Sequence, residues 1–153
     1  MVTASNRAAA GVYPDTGGPV LADGLRELGF SVDGPVVVQD GDPVGEALRG
    51  AVREGYDVVL TTGGTGLSPT DHTPEQTRPL LDIEVPGLAE AIRGRGFGKG
   101  VPTAVLSRGL AGVAGHTLIV NLPGSRGGCL DGMAVLDEVL VHAVDQINGG
   151  DHR

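Results

Sequence analysis

The sequence has 153 residues, of which 40% are hydrophobic, 20% are charged and 3% are aromatic, and it carries a formal net charge of −8. This size and composition predict a single folded domain, residues 1–153, with an aliphatic core. The negative charge argues against a nucleic acid or an anionic membrane as the partner, although backbone amides can still bind a small anion.

The cysteine content and the N-terminal sequence indicate the compartment. Cys129 is the one cysteine, so an intrachain disulfide is excluded and a reducing compartment is favoured. We interpret Cys129 itself as an inert packing residue. The N-terminal residues lack the pattern of a signal peptide, and no apolar run is long enough to span a membrane. These features predict a cytoplasmic protein.

The first apolar segment, residues 1–4, is marginal as a strand because it is so short. Either this strand begins upstream or it is reduced in this protein. The next stretch predicts a helix with Pro19 in its first turn and Gly29 at its end. Val36–Val38 follows, and its β-branched run predicts a buried strand.

The middle of the chain alternates helix and strand signals. Asp42 as N-cap and Pro43 in the first turn predict a helix that closes at Gly55. A second strand is predicted over residues 56–60. Residues 73–76, Thr-Pro-Glu-Gln, have the spacing of a capping box at the start of a further helix.

The last third repeats the pattern. Pro86 opens a predicted helix, and residues Thr117–Leu122 form the third predicted strand. A final helix contains Leu140 on its apolar face, and residues 149–153 are predicted to form a frayed tail. Strands separated by helices predict an α/β fold with three layers, α/β/α, around a mostly parallel sheet. Such sheets bind ligands beyond the carboxyl ends of their strands.

A glycine-rich segment at residues 60–71 follows one of the predicted strands. Its glycines allow close approach of a ligand to the backbone, and its threonines offer hydroxyls to phosphate or ribose oxygens. The segment matches neither a Walker A loop nor the Rossmann glycine pattern. We interpret it as a phosphate-binding loop, with a purely structural turn as the alternative. The residues assigned to binding are Thr62, Gly63, Gly64, Thr65 and Gly66.

Two carboxylates are expected at the same edge of the sheet. Asp40 follows the strand Val36–Val38, and Asp71 closes the glycine-rich segment. Mg²⁺ in nucleotide sites is usually held by one or two carboxylates together with substrate phosphates. Asp40 and Asp71 are therefore the predicted Mg²⁺ ligands, whereas the alternative for an isolated aspartate is a turn or capping role.

A further strand end carries polar residues. Pro123 and Gly124 predict a tight turn, Ser125 is placed to cap the following helix, and the amide of Asn121 could contact a base or ribose. The alternative is an ordinary strand–helix turn. Elsewhere, Arg108 could clamp a phosphate, although a surface arginine is more often simply solvated.

The histidines do not form a predicted metal site, because they are scattered and lack cysteine partners at zinc spacing. They are His72, His116, His142 and His152.

Taken together, these segments resemble the MoaB/Mog family of molybdenum-cofactor biosynthesis proteins over nearly the whole chain. The matching segments, in chain order, are Ser5-Asn6-Arg7, Gly11-Val12-Tyr13, Asp15, Thr61-Thr62-Gly63-Gly64-Thr65-Gly66, Asp71, Thr73-Pro74, Glu84-Val85-Pro86-Gly87, Glu90, Arg93, Leu106-Ser107-Arg108 and Asn121-Leu122-Pro123-Gly124.

The resemblance implies a molybdopterin-binding fold and a homotrimer. It also implies an adenylyltransferase that joins the AMP part of ATP to the terminal phosphate of molybdopterin, with Mg²⁺ and release of pyrophosphate. By the same resemblance, residues 63–66 would cradle phosphates, Asp40 and Asp71 would hold Mg²⁺-ATP, and Ser107 would lie on the pterin side. The loop near the nucleotide would contain Asn121, Pro123 and Gly124.

Two other hypotheses remain open from the sequence. The chain could be a non-catalytic molybdopterin carrier, which predicts pterin affinity without ATP turnover. It could also be an oligomeric interaction protein that reuses the scaffold, which predicts a protein partner and no requirement for Asp71.

Overall fold

The computed structural model describes residues 1–151. Six strands are β1 Val2–Ala4, β2 Val36–Val38, β3 Val58–Thr62, β4 Ile83–Glu84, β5 Ala111–Ala114 and β6 Thr117–Leu122. They form one sheet in the order β2-β1-β3-β6-β5-β4. The pairings from β2 through β6 are parallel, and β5 and β4 are added antiparallel. The prediction of a mostly parallel sheet is confirmed.

Helices connect these strands. They are α1 Asn6–Ala9, α2 Gly17–Glu27, α3 Asp42–Glu54, α4 Thr73–Thr77, α5 Pro86–Gly98 and α6 Arg126–Ile147, with 3₁₀ turns at Arg78–Leu80 and Pro102–Leu106. No helix within residues 1–151 is long and apolar enough to cross a lipid bilayer.

Successive side chains of the strands point to opposite faces of the sheet and pack into two separate hydrophobic cores. Helices cover both faces, so the fold has three layers. On one face, Leu60 and Val120 pack in a cluster with Leu21 of α2, Ile92 of α5 and Leu136 of α6. On the other face, the sheet packs against α3, in a cluster that contains Val2, Val44, Leu48, Val59 and Ile119. This period-two alternation is expected for a sheet covered on both faces.

The strand predictions are confirmed in part. β6 has the predicted bounds, but β3 begins at Val58 rather than at residue 56. β1 has only three residues and is nevertheless buried and paired on both sides. β2 is a strand, but the prediction that it is buried is wrong, because it lies at the edge of the sheet and Val36 is 52% exposed.

The helix predictions differ from the structure at two N-termini. Gly41 precedes α3, so Asp42 is the first helical residue and not the N-cap. The capping box is also wrong, because Thr73 already lies inside α4 and Gln76 donates to Asp42 Oδ1 at 3.3 Å instead. The positions of Gly29, Gly55 and Pro86 at helix ends are as predicted. The frayed-tail prediction extends to residues 152 and 153, which lie outside the described residues.

Candidate active site

The glycine-rich loop begins where the central strand β3 ends. Gly63 and Gly64 have φ angles of +91° and +68°, which few residues other than glycine adopt. The Gly63 amide donates to the carbonyl of Leu122, at the end of the neighbouring strand, at 3.2 Å. A Cβ at Gly63 would collide with the carbonyl oxygen of Ala4. The loop therefore passes between the carboxyl ends of three parallel strands, which is the predicted ligand edge.

One side of this loop borders a cavity of about 650 Å³, which we call the acidic cavity. It contains both carboxylates that the sequence singled out, Asp40 and Asp71, together with Thr62, Gly63 and Gly64. Because the carboxyl ends of β2 and β3 meet at this edge, the residues that follow them lie together. The two carboxylates therefore lie in one cavity, as expected from the meeting of the strand ends.

The backbone holds each of these carboxylates through one oxygen. Asp40 Oδ1 accepts from the amides of Gly41 at 2.7 Å and His72 at 3.0 Å. Asp71 Oδ2 accepts from the Ser68 amide at 3.0 Å. Within residues 1–151, the other oxygen of each carboxylate accepts no hydrogen bond.

This arrangement fits a hard divalent cation. Carboxylate oxygens suit Mg²⁺, which commonly takes one or two of them and completes its octahedron with waters and phosphate oxygens. Among the described residues, no group of three or more His, Cys, Asp or Glu side chains is placed to hold a metal alone. A cation in this cavity would therefore depend on the phosphates of its ligand.

The acidic cavity also contains residues from the segment after β1, to which the sequence argument gave no roles. Asn6 Oδ1 accepts from the Asp40 amide at 3.0 Å. Asp15 accepts from Gly18 N at 3.0 Å and from Thr3 Oγ1 at 2.8 Å. The Arg7 guanidinium lies 5.1 Å from the ring centre of Tyr13. Their position in the sequence could have indicated this location, because they follow β1, whose carboxyl end lies at the same edge of the sheet.

The opposite side of the loop borders a second cavity, of about 480 Å³, which we call the serine cavity. Ser107 lies in its wall and donates to Thr65 Oγ1 at 3.2 Å. Arg93 lies beside it and donates to the carbonyls of Ser107 and Gly109. Apolar side chains fill much of the remaining wall, so this cavity is the less polar of the two.

The two cavities share part of their walls. Gly64, Asp71 and Gly124 border both of them. Gly66 and Ser125 border only the serine cavity. Ligands in the two cavities would therefore meet at the glycine-rich loop.

The turn after β6 is tied to this loop from below. Thr62 Oγ1 donates to the carbonyl of Pro123 at 2.7 Å and lies 3.2 Å from Cys129 Sγ. Burial raises the pKa of the Cys129 thiol, which agrees with an inert packing residue. Ser125 caps α6 as expected, since its Oγ accepts from the amide of Gly128 at 3.0 Å.

Asn121 borders neither cavity. Its side chain is buried, and its amide nitrogen donates to Thr61 Oγ1 at 3.0 Å and to Thr77 Oγ1 at 3.1 Å. Its amide oxygen accepts from the Leu110 amide at 3.0 Å. These contacts occupy the side chain within the fold, so the geometry favours a structural role for Asn121 over contact with a base or ribose.

Arg108 is engaged with the loop and not with either cavity. Its Nε donates to the carbonyl of Gly66 at 2.8 Å, and Nη2 donates to that of Asp71 at 3.0 Å. Nη1 forms an ion pair with Glu75, which lowers the pKa of that carboxyl. These contacts occupy the guanidinium, so the geometry favours neither the phosphate clamp nor simple solvation, and the arginine instead fixes both ends of the segment that carries Asp71.

The histidines among residues 1–151 lie apart from one another. His72 contributes its amide to Asp40, and His142 Nε2 lies 2.8 Å from Gln146 Nε2. Among residues 1–151 they join no potential metal cluster. His152 lies outside the described residues.

Comparison with known proteins identifies the family. A family model described as "Probable molybdopterin binding domain" matches residues 1–142. In an alignment of 155 positions, the chain is 35% identical to a Helicobacter pylori protein named molybdopterin adenylyltransferase, covering 97% of this chain and 86% of that protein. A solved structure of the molybdopterin biosynthesis Mog protein from Mycobacterium ulcerans is 60% identical and superposes with a TM-score of 0.91, covering 95% of each chain.

Other relatives are longer. The chain is 43% identical over 136 residues to the Drosophila melanogaster molybdenum cofactor synthesis protein cinnamon, covering 87% of this chain but only 22% of that protein. It spans about half the length of two bifunctional molybdenum cofactor biosynthesis proteins, 48% and 47%. The family model, the relatives and the fold agree, and the chain belongs to the MoaB/Mog family of molybdenum-cofactor biosynthesis proteins.

Proposed function

We propose that this chain is a molybdopterin adenylyltransferase, which joins the AMP part of ATP to the terminal phosphate of molybdopterin. The observation that carries the proposal is the pair of cavities that meet at Gly64, Asp71 and Gly124. Transfer between two ligands requires their reacting atoms to lie side by side, and a shared wall provides that place. The name of the Helicobacter pylori relative supports this choice of reaction.

The chemistry of the walls supports a different ligand for each cavity. The acidic cavity takes Mg²⁺-ATP, because it contains Asp40 and Asp71, whose carboxylates suit a cation held together with phosphates. The serine cavity takes the pterin, because Ser107 offers a hydroxyl among apolar side chains such as Ile92 and Leu106. Apolar walls with a few polar groups are typical of sites for flat organic ligands.

In the proposed reaction, a phosphate oxygen of molybdopterin forms a bond to the α-phosphorus of ATP. The bond from that phosphorus to the oxygen bridging to the β-phosphate breaks, and pyrophosphate leaves with its electron pair. The amides of Gly64, Thr65 and Gly66 make no hydrogen bond within residues 1–151 and can donate to phosphate oxygens. Mg²⁺ would supply neutralisation of the phosphate charge. No side chain has to form a covalent bond.

Two measurements test this proposal. Calorimetric titration of the protein with Mg²⁺-ATP and with molybdopterin separately should show binding of both. Pyrophosphate should then be released only when both ligands are present. Binding of the pterin without turnover would instead identify a non-catalytic carrier, and binding of neither would leave only an interaction scaffold.

We also propose a cytoplasmic homotrimer, as the family resemblance implies. Two large apolar side chains outside both cavities are exposed near the end of α5 and in the turn that follows, and they offer a surface for a second copy: Phe97 and Val105. Sedimentation equilibrium should give three times the chain mass. A chain that sediments as a monomer at micromolar concentration would contradict the trimer without affecting the assigned reaction.

A further inference from the structure

The hydroxyl of Thr73 is buried without a hydrogen-bond partner. The residue is 0% exposed, and Oγ1 is the one buried side-chain N or O atom without a partner among residues 1–151. Buried polar groups in folded proteins are nearly always hydrogen-bonded, so an exception requires an explanation. An unused donor beside a ligand cavity points to a contact that forms only when the ligand is bound.

Thr73 Oγ1 faces the same small gap as the Asp40 carboxylate. Gly64 borders this gap, and a Cβ on Gly64 would collide with both Thr73 Oγ1 and Asp40 Oδ2. The Thr73 amide donates to the Gly64 carbonyl at 3.0 Å, which fixes the threonine against the loop. The absence of a side chain on Gly64 is therefore what leaves space for the hydroxyl and the carboxylate beside one another.

Asp40 is secured on one side only. Its Oδ1 accepts from the amides of Gly41 and His72, whereas its Oδ2 accepts no hydrogen bond within the described part of the chain. Carboxylates that bind metals are usually oriented by hydrogen bonds from neighbouring groups. The Thr73 hydroxyl is an unpaired donor on the unsecured side.

We propose that Thr73 is a positioning residue for Asp40, whose Oδ2 accepts a hydrogen bond from the Thr73 hydroxyl when the carboxylate binds Mg²⁺. The second lone pair of Oδ2 remains available to the cation. Three donors then hold the carboxylate, two on Oδ1 and one on Oδ2. The inference rests on the proposed function, since it requires Asp40 to hold the cation.

The test compares two variants of Thr73 in the full chain. Thr73→Val keeps the shape and removes the hydroxyl, whereas Thr73→Ser keeps the hydroxyl. Binding of Mn²⁺ is measured as its complex with a non-reacting methylene analogue of ATP, from the electron paramagnetic resonance of the protein-bound ion, with the Mg²⁺ complex of the analogue as competitor. Thr73→Val should weaken Mn²⁺ binding about tenfold or more, and Thr73→Ser should stay within about threefold of wild type.

A second readout separates this role from a structural one. Without a cation, Thr73→Val removes an unsatisfied buried group, so its Tm should equal or exceed that of wild type. A matched control is Thr77→Val on the same helix. Thr77 is equally buried, but its Oγ1 donates to the Thr73 carbonyl at 2.8 Å and accepts from Asn121. That variant should have a lower Tm and unchanged Mn²⁺ affinity.

Each remaining outcome overturns part of the argument. Equal Mn²⁺ affinity in wild type and Thr73→Val, with binding lost in Asp40→Asn, would refute the role of Thr73 and leave Asp40 as a ligand. Absence of binding in wild type, or undiminished binding in Asp40→Asn, would refute the cation site and the inference together. If Thr73→Val does not fold, Thr73→Ala provides the same comparison.

Discussion

Asp71 combines a structural contact with a proposed catalytic one, and the two can be separated. In the wild-type protein the Ser68 amide donates to the Asp71 carboxylate at 3.0 Å. Asp71→Asn keeps an oxygen that can accept this hydrogen bond but removes the negative charge. We expect AMP transfer to fall at least about 100-fold, because neutralisation of phosphate charge by a metal is worth several kcal/mol. The free energy of unfolding should change by less than about 0.5 kcal/mol. Pyrophosphate release and urea unfolding measure the two effects.

The control for this variant is Asp82→Asn. Asp82 also accepts a backbone amide, that of Gly115 at 2.7 Å, but it borders neither cavity. Both measurements should be unchanged in this variant. Full turnover by Asp71→Asn would remove Asp71 from the mechanism.

For Asn121 we expect a substitution to lower stability and to leave ligand binding unchanged, the reverse of the expectation for Asp71. Replacement of Asn121 by alanine leaves the hydroxyls of Thr61 and Thr77 and the amide of Leu110 without their buried partner. We expect a loss of about 2–4 kcal/mol in the free energy of unfolding, because several buried groups lose hydrogen bonds. Affinity of the folded protein for Mg²⁺-ATP should be unchanged in calorimetry. A selective loss of nucleotide affinity at full stability would restore Asn121 as a ligand-binding residue.

The ion pair of Glu75 with Arg108 makes the Asp71 segment sensitive to acid. Arg108 lowers the pKa of Glu75 from its ordinary 4.5, so the stabilisation is complete above that pH and is lost as the pH falls through the lower value. The pair is partly exposed, so we expect only about 0.5 kcal/mol. Thermal unfolding should show Glu75→Gln less stable than wild type at pH 7, with a difference in Tm that shrinks as the pH falls below 4.5. A constant difference across this range would contradict the assignment.

Some features of the candidate site could be predicted from the sequence and others could not. Asp40 and Asp71 were placed together because the ends of neighbouring parallel strands meet at one edge, which depends on topology alone. The internal contacts of Asn121 and Arg108 could not be predicted, because their partners come from distant parts of the chain, including Thr61 and Glu75. A polar residue near a site can serve the ligand or the fold, and only its neighbours in space decide which.

At the scale of the element, the glycine-rich loop depends on backbone conformations that other residues avoid. Gly63→Ala would place a Cβ at φ +91° against the Ala4 carbonyl, at the end of the neighbouring strand β1. We expect a loss of about 2–4 kcal/mol in the free energy of unfolding, because strain and a backbone collision act together. The matched control is Gly87→Ala in α5, where a Cβ meets nothing within 4 Å. This substitution should stabilise the helix by up to about 1 kcal/mol. Urea denaturation of the two variants measures both changes, and a wild-type value for Gly63→Ala would contradict the strain argument.

The elements that the sequence predicted well are those with a strong pattern. β6 is a continuous run of buried residues, and its bounds agree with the prediction. β4 and β5 were missed because β4 has two exposed residues and β5 contains Gly112 in a run of small side chains. The capping box at Thr73 failed because the same spacing also fits a helix that begins one residue earlier. Local signals place an element better than they place its first residue.

At the scale of the whole molecule, alternation of strands and helices was sufficient to predict the three layers. It was not sufficient to predict the sheet order, in which β1 lies between β2 and β3 despite having three residues. Pairing on both sides compensates for its short length, and it brings the segment after β1, with Asp15, to the acidic cavity. Strand order arises from packing between distant segments, which no local pattern encodes.

The shared wall at Gly64, Asp71 and Gly124 makes the two cavities thermodynamically dependent on each other. A ligand that restricts these residues from one side reduces the entropy that a ligand on the other side has to remove. Binding should therefore be positively cooperative, by a factor of about 5 or more. Titrations of molybdopterin with and without a non-reacting methylene analogue of Mg²⁺-ATP, and the reverse, measure this factor, and independent binding would yield a factor of one. Thermodynamic reciprocity requires the same factor whichever ligand binds first. When one ligand is scarce, the protein therefore binds the other more weakly, and protein that carries only one ligand stays rare.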